Sequence, residues 1–408
     1  MADDEKLAAV REALPALGAG IYLNTGSVGP LPTETAAAMD DLAGWELRTG
    51  RAHPDYYLET LERMAEARAG IAAVVASDVA SIALTHTTTD GMNIATWAID
   101  WQPGDRAVTT RHEHAGGLGP LLTIRDRFGV ELELVDVGDG GDDERTIAAF
   151  DAAIRPGTRL VSLSHVLWTT GARLPIEKIA EIAHDRGALV AIDGAQAVGA
   201  VRVLVDTTGA DFYAIAGQKW LLGPEGMGAL WLSPAALEHA APSFTGWFSF
   251  ERIGLDGTAV PQPDARRFEV STFHRPSLVG LARSCGWLSM YVGLPWVHER
   301  GQRLAREAAD RLASIPGVGL VTPREQMATL ITFRIVGWPA EDALTELGVR
   351  SFAILRSIPD IDALRISVGF FNSAAEIERF ATTVELLAAH RPDTLPPRTT
   401  LTILGQDG

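Results

Sequence analysis

The chain has 408 residues, of which 47% are hydrophobic and 21% are charged, a composition typical of a folded protein with a large core. Its formal net charge of -17 opposes binding to a nucleic-acid backbone. Its single cysteine excludes an internal disulfide and a cysteine-based metal cluster, and it favours a reducing compartment.

Residues 1–20 are predicted to form an N-terminal helical segment. This segment has neither the basic region nor the apolar core of a signal peptide. No stretch of the chain offers the roughly 20 apolar residues that a membrane-crossing helix needs. The sequence therefore predicts a cytoplasmic protein with no membrane partner.

Residues 21–285 are predicted to form a large α/β domain, because short apolar β-branched runs alternate with helical patterns. This rhythm is typical of a mostly parallel sheet with helices on both faces. A helix is predicted over Pro175–Gly187, which has proline at its start and glycine after its end. The seven predicted strands are Ser81–Thr85, Arg106–Thr110, Glu131–Val137, Arg159–Leu163, Ala188–Ile192, Phe212–Ala216 and Gly228–Leu232.

Residues 286–392 are predicted to form a smaller C-terminal α+β domain. An amphipathic helix leads into short strands, including Ala363–Val368, and a closing helix is predicted over Ala374–Ala388. Residues 393–408 are rich in proline and threonine and are predicted to form a loosely ordered tail.

Two polar motifs each follow a predicted strand. Asp193 and Gln196 follow one, and Gln218 and Lys219 follow another. Ligands of open α/β sheets bind at the carboxyl ends of the strands, so an acid and a lysine can meet there on one small molecule. A partly desolvated lysine can form a Schiff base, and an aspartate can hold a protonated pyridine nitrogen. The alternative is a helix-capping Asp193 and a solvated Lys219.

Two further motifs are compatible with a ligand site. Thr87–Gly91 precedes a predicted helix, where its amides and hydroxyls suit a phosphate, or where it serves only as an N-cap. His114, after the strand that ends at Thr110, suits a position over a flat ring or an acid-base role. The histidines lack the spacing of a metal-binding pair, so no metal is predicted.

Taken in this order, the motifs resemble those of the class V aminotransferase family, which includes cysteine desulfurases, isopenicillin N epimerase-like proteins and kynureninase. The strongest element is Asp193–Gln196 followed by Gly217–Trp220 and Gly223–Gly228. The resemblance covers nearly the whole chain. It implies an α/β enzyme of fold type I that uses pyridoxal 5'-phosphate (PLP), with a mostly parallel seven-stranded sheet and a smaller C-terminal α+β domain.

The resemblance assigns Lys219 the catalytic role and the Schiff base with the cofactor. It pairs Asp193 with the pyridine nitrogen and Gln196 with the phenolic oxygen of the ring. His114 would stack on the ring, because Glu113-His114 through Pro120 follows the spacing of the family. The residues on the phosphate side would be Thr88, Thr89 and Gln218.

Two more segments resemble the family. Phe268–Thr272 looks like the segment whose threonine, here Thr272, reaches the phosphate in the neighbouring subunit. This implies a homodimer with active sites at the interface. Leu364–Ser367 matches the segment whose arginine, here Arg365, binds the substrate α-carboxylate, a task suited to a bidentate guanidinium.

The chain also departs from the family. Gln218 replaces a common histidine before the lysine, and Trp168 replaces an asparagine near the cofactor. The loop Arg350–Leu355 has no cysteine where many desulfurases carry their nucleophile, which disfavours ordinary desulfuration. Cys285 lies in an apolar stretch and suits the core.

The resemblance favours amino-group transfer from an amino acid, with a keto acid as product or partner. A lyase or an amino-acid epimerase is the alternative, because lyases and epimerases also begin by removing the α-proton of the amino acid, as amino-group transfer does. A non-catalytic binding protein with the same fold is a further alternative. The sequence leaves the side-chain pocket open, and Trp247 suits either its apolar wall or a subunit interface.

Overall fold

The computed structural model describes residues 3–270 and 272–397. Its twelve α-helices within those ranges are α1 Asp3–Glu12, α2 Thr33–Thr49, α3 Tyr56–Val75, α4 Thr88–Trp97, α5 Ala115–Phe128, α6 Asp143–Ala153, α7 Ile176–Asp185, α8 Pro234–His239, α9 Arg275–Gly286, α10 Leu294–Ala313, α11 Ala340–Ser351 and α12 Ala374–Ala388.

The strands in the same ranges are β1 Ile21–Tyr22, β2 Ile82–Thr85, β3 Arg106–Thr110, β4 Glu131–Val135, β5 Thr158–Ser164, β6 Leu189–Asp193, β7 Phe212–Ala216, β8 Gly228–Leu232, β9 Phe250–Ile253, β10 Ala259–Pro261, β11 Val318–Leu320, β12 Leu330–Ile335, β13 Ala353–Ile354, β14 Arg356–Ile358 and β15 Ala363–Ser367.

The main sheet has seven strands in the order β2-β8-β7-β6-β5-β3-β4. Strand β8 runs antiparallel to both of its neighbours, and the other pairs are parallel. This confirms the predicted mostly parallel seven-stranded sheet. The strand positions are correct: three strands have the predicted bounds, and the bounds of the other four differ by one or two residues. The predicted Ala188–Ile192 lies one residue further on, so that Asp193 is the last residue of β6.

Both faces of the sheet are covered by helices, as predicted. Val190 and Ile192 of β6 pack into one hydrophobic cluster, with α6 and α7, while Ala191 packs into another on the opposite face, with α4 and α5. Successive side chains of a strand point to opposite faces, so strands covered on both sides are apolar at every position. This explains their continuous apolar runs.

The C-terminal part forms a second sheet, in the order β11-β12-β15-β14, with its own hydrophobic cluster. Its predicted strand over Ala363–Val368 and closing helix over Ala374–Ala388 are both present, the strand ending one residue earlier. Ile21 and Leu23 belong to this second cluster, and β1 pairs with β13. The exact domain boundaries stay predictions, and most of the predicted tail lies outside the described residues.

Within residues 3–270 and 272–397, no helix is both long enough and apolar enough to cross a membrane.

Candidate active site

A cavity of about 290 Å³ lies where the carboxyl ends of the main-sheet strands face the second sheet. Parallel strands end at the same edge of a sheet, so side chains that follow different strands meet there. Eight of the nine predicted site residues line this cavity: Thr88, Thr89, His114, Asp193, Gln196, Gln218, Lys219 and Arg365.

Lys219 lies three residues beyond the end of β7, in a turn beside the end of β6. Burial lowers the pKa of its ammonium group, and the nearby guanidinium groups of Arg365 and Arg356 lower it further. Asp193 acts in the opposite direction. The net reduction favours the neutral amine, which is the form that attacks a carbonyl or accepts a proton.

Asp193 is buried at the end of β6, and its Oδ1 accepts a hydrogen bond from the Ala195 amide at 2.9 Å. Gln196 is held at two points. Its Nε2 donates to the Gly26 carbonyl at 2.8 Å, and its Oε1 accepts from Trp220 Nε1 at 3.0 Å. Its predicted contact with a ring oxygen therefore depends on the remaining hydrogen of Nε2, because an amide nitrogen carries two.

The N-terminus of α4 points at the cavity. Thr87 is the residue that caps the helix, with its hydroxyl accepting from the Asp90 amide at 3.0 Å. Thr88 and Thr89, the next two residues, also line the cavity. Helix capping therefore applies to Thr87, and the predicted phosphate contact applies to Thr88 and Thr89. A Cβ at Gly116 would lie 2.3 Å from Thr89 Oγ1, so glycine is required for this close approach.

His114 caps helix α5. Its Nδ1 accepts from the Gly116 amide at 3.1 Å, an assignment that leaves the ring hydrogen on Nε2. Burial and then the charge of Lys219 lower its pKa, which favours the neutral ring. The ring meets that of Trp168 edge-on, with centroids 5.8 Å apart. This neutral aromatic face fits the predicted stacking on a flat cofactor ring.

Arg365 of β15 is 1% exposed, and its Nη1 donates to the Trp168 carbonyl at 2.8 Å. Its Nε and Nη2 have no hydrogen-bond partner within the described part of the chain. Burial lowers its pKa to about 9, and Arg356 contributes to that effect. Buried, unpaired donors on a cation are a site for an anion such as a carboxylate.

Sequence reasoning missed Arg356. It lies opposite Arg365 across the β14–β15 pair, and its guanidinium lies 5.6 Å from the centre of the Trp168 ring. It lines the cavity, which thus has two arginines side by side. The sequence does show an arginine directly after the loop Arg350–Leu355, which lacks the cysteine. Only the pairing of β14 with β15 places this arginine opposite Arg365.

Three residues singled out in the sequence lie apart from the cavity. Thr272 is exposed, so its predicted contact with the neighbouring subunit's phosphate stays a prediction. Trp247 is 71% exposed and lines a separate groove beside β9. Cys285 is fully buried in α9, where burial raises its pKa to about 12.

The residues present fit PLP. Asp193 suits a protonated ring nitrogen, and the N-terminus of α4 suits a phosphate. Lys219 would supply the amine. Gln218 Oε1 is buried without a hydrogen-bond partner among the described residues, so it is available to a ligand.

The chain is similar to known proteins over most of its length. The family model described as Aminotransferase class-V matches residues 21–380. A probable cysteine desulfurase of Methanothermobacter thermautotrophicus is 28% identical over 93% of this chain and 97% of its own length. The isopenicillin N epimerase of Streptomyces clavuligerus is 29% identical over 90% of this chain and 94% of its own length.

Among solved structures, the cystine C-S lyase C-DES in complex with its product cysteine persulfide has a TM-score of 0.87 and 26% identity. The match covers 93% of this chain and all of that one (100%). A lysine-to-alanine variant of C-DES with glycine covalently linked to the PLP cofactor has a TM-score of 0.87 and 26% identity, over 92% of this chain and 98% of that one.

Proposed function

The chain belongs to the class-V aminotransferase family of PLP-dependent enzymes, and we propose that it is a carbon–sulfur lyase that acts on a disulfide amino acid such as cystine. The observation that carries the proposal is the pair of arginines, Arg356 and Arg365, beside Lys219 in one cavity. One carboxylate needs one of these guanidinium groups. The second is available for another anionic group on the substrate.

Arg365 is proposed to bind the substrate α-carboxylate through Nε and Nη2, the two nitrogens without a partner in the described residues. Its third contact, with the Trp168 carbonyl, fixes the plane of the guanidinium. A bidentate contact of this kind orients the bonds of the α-carbon. Arg356 is proposed to bind the distal carboxylate of the disulfide substrate, which distinguishes cystine from cysteine.

Lys219 is proposed to take the proton from the α-carbon. Burial and the two arginines favour its neutral amine, and Asp193, which lines the same cavity, would hold the cofactor ring nitrogen. When bound, PLP supplies an electron sink for the negative charge that the proton leaves behind. The hydrogen-bond network of His114 and Gln196 keeps the walls of the cavity in place.

The sulfur leaves as a small molecule in this proposal, because the chain has no thiol positioned to receive it. Its only cysteine is Cys285, which is fully buried in α9. The balanced reaction is cystine plus water giving cysteine persulfide, pyruvate and ammonia. The Cα–H, Cβ–S and Cα–N bonds break, water supplies the keto oxygen of pyruvate, and no oxidant or reductant is consumed.

The test is to incubate the PLP-loaded protein with cystine and with cysteine, and to measure pyruvate, ammonia and persulfide. We expect turnover of cystine, with Arg356→Ala lowering kcat/KM for cystine by on the order of 10- to 100-fold. The loss with cysteine, which lacks the distal carboxylate, should be smaller, because it reflects only the contribution of Arg356 to the lowered pKa of Lys219. Arg303→Ala, which removes a half-exposed surface arginine, is the matched control.

Amino-group transfer is the second candidate, because Lys219, once it has taken the proton from the α-carbon, can return it to a different atom. It predicts the 2-oxo acid of the substrate with its side chain intact, and no pyruvate from cystine. Epimerisation predicts racemised substrate with neither product. Either outcome would replace the lyase proposal, and an absence of any turnover would favour the non-catalytic alternative. The homodimer and the cytoplasmic location stay predictions.

A further inference from the structure

Glu113 is a buried carboxyl group that the proposed reaction does not use. It follows β3 and is 7% exposed. Its Oε1 accepts a hydrogen bond from Thr110 Oγ1 at 2.7 Å, and its Oε2 accepts one from Ser164 Oγ at 2.6 Å. No cation is among the groups that act on its ionisation within residues 3–270 and 272–397. A buried carboxylate without a cation is unfavourable.

Glu113 is also coupled to the acid of the cofactor site. Ser164, which bonds to Glu113, is the residue opposite Asp193 in the parallel pairing of β5 with β6. Ser164 and Asp193 both line the cavity. Burial raises the pKa of Glu113 to about 7, and the charge of Asp193 adds to this, against the effect of the two hydroxyl donors. The charge of Asp193 therefore favours the protonated form of Glu113.

We propose that Glu113 is a positioning residue of the cofactor site: it holds a proton beside Asp193 in the cofactor-free protein and releases it when the positively charged ring nitrogen of PLP pairs with Asp193. The bond that breaks is O–H at Glu113, and the proton goes to water. The positive charge of the ring nitrogen then compensates the carboxylate of Glu113 in addition to that of Asp193. The inference rests on PLP as cofactor and not on which reaction follows.

The local hydrogen bonds indicate which oxygen carries the proton. Thr110 Oγ1 accepts a hydrogen bond from the His112 amide at 3.1 Å, and the Thr110 hydroxyl donates its hydrogen to Glu113 Oε1. The proton on Glu113 therefore lies at Oε2, against Ser164. Ser164 can then turn its hydroxyl hydrogen towards the cavity, and it turns back to Glu113 once that group ionises.

Other titratable groups surround Glu113 and must be separated from it. His112 and His114 flank it in the chain, and burial lowers the pKa of both rings. Lys219 and the cofactor phosphate also exchange protons on binding. All of these groups are present in a Glu113→Gln variant, which removes only the carboxyl of Glu113. The difference between wild type and this variant therefore isolates Glu113.

The experiment adds PLP to the cofactor-free protein in a weakly buffered solution and measures proton release with an indicator dye. At about pH 6, wild type is expected to release on the order of one proton more than Glu113→Gln, and this difference vanishes at about pH 8.5. The logarithm of the PLP association constant correspondingly rises more steeply with pH in wild type. Glu376→Gln, at an equally buried carboxyl in the cap of α12, is the control and behaves as wild type.

Equal proton release by wild type and Glu113→Gln at both pH values would overturn the proposal. Ser164→Ala is a second variant that keeps the carboxyl. Loss of the Ser164 donor disfavours the carboxylate, so the pH midpoint of proton release moves upwards. A midpoint that does not move would contradict the coupling. No substrate is present, so failure of the lyase proposal leaves these results unchanged.

Discussion

Replacing Arg365 by methionine should make the cofactor-free protein more stable while it weakens substrate binding. Burial and Arg356 lower the pKa of Arg365 from its ordinary 12.5 to about 9, which corresponds to about 5 kcal/mol against the charged form. The variant leaves the Trp168 carbonyl without its donor, which costs about 1–3 kcal/mol. The net expectation is a gain of about 3 kcal/mol in the free energy of unfolding.

The assay is urea denaturation of both cofactor-free proteins at one protein concentration, so that any association contributes equally. Arg300→Met is the matched control, because Arg300 is also buried but has three partners: the carbonyls of Phe370 and Asn372 and the carboxylate of Asp3. Removing this satisfied guanidinium should lower the free energy of unfolding by about 3 kcal/mol.

An Arg365→Met variant that is no more stable than wild type would refute this expectation. It would show that Arg365 is not a buried cation without an anionic partner. In the PLP-loaded protein, the same variant should weaken amino-acid binding by on the order of 100-fold, because the carboxylate loses its bidentate partner. Unchanged affinity for amino acids would exclude Arg365 as the carboxylate site.

Three further predictions follow from buried groups outside the cavity. Glu269→Gln leaves the buried Arg68 cation without its anionic partner. The free energy of unfolding, measured in urea, should fall by about 3–5 kcal/mol. A loss below about 1 kcal/mol would show that water reaches the pair. Gly194→Ala puts a Cβ 2.0 Å from Tyr213 Cε1 and should cost about 1–3 kcal/mol, and an unchanged thermal midpoint would contradict this packing. Cys285 should resist thiol reagents at about pH 8 until the protein unfolds, because its pKa is raised to about 12; rapid labelling of the native protein would refute this.

The main sheet and the convergence of Asp193 with Lys219 were predictable from the sequence. Strands covered on both faces are apolar at every position, so they are visible as runs of β-branched residues. Parallel strands end at one edge, so polar residues that follow them converge even though 26 positions separate Asp193 from Lys219. The family motifs then indicated the cofactor, and the comparisons agree.

The second arginine and the coupled carboxyl were not predictable in this way. Arg356 faces Arg365 because β14 and β15 pair in one register, and a shift by one residue would turn its side chain to the other face of the sheet. Glu113 meets Ser164 across a distance of 51 residues. No local pattern records such contacts.

The sequence by itself therefore determined the fold class and the cofactor and predicted the lysine that would hold it, because each depends on periodicity or on a motif of a few adjacent residues. Only the tertiary structure decided how charge is distributed in the cavity. The pKa values of Arg365 and Glu113 depend on burial and on charges brought close by strand pairing. Both are properties of the packed chain, because desolvation and electrostatic coupling arise only when distant residues exclude water together.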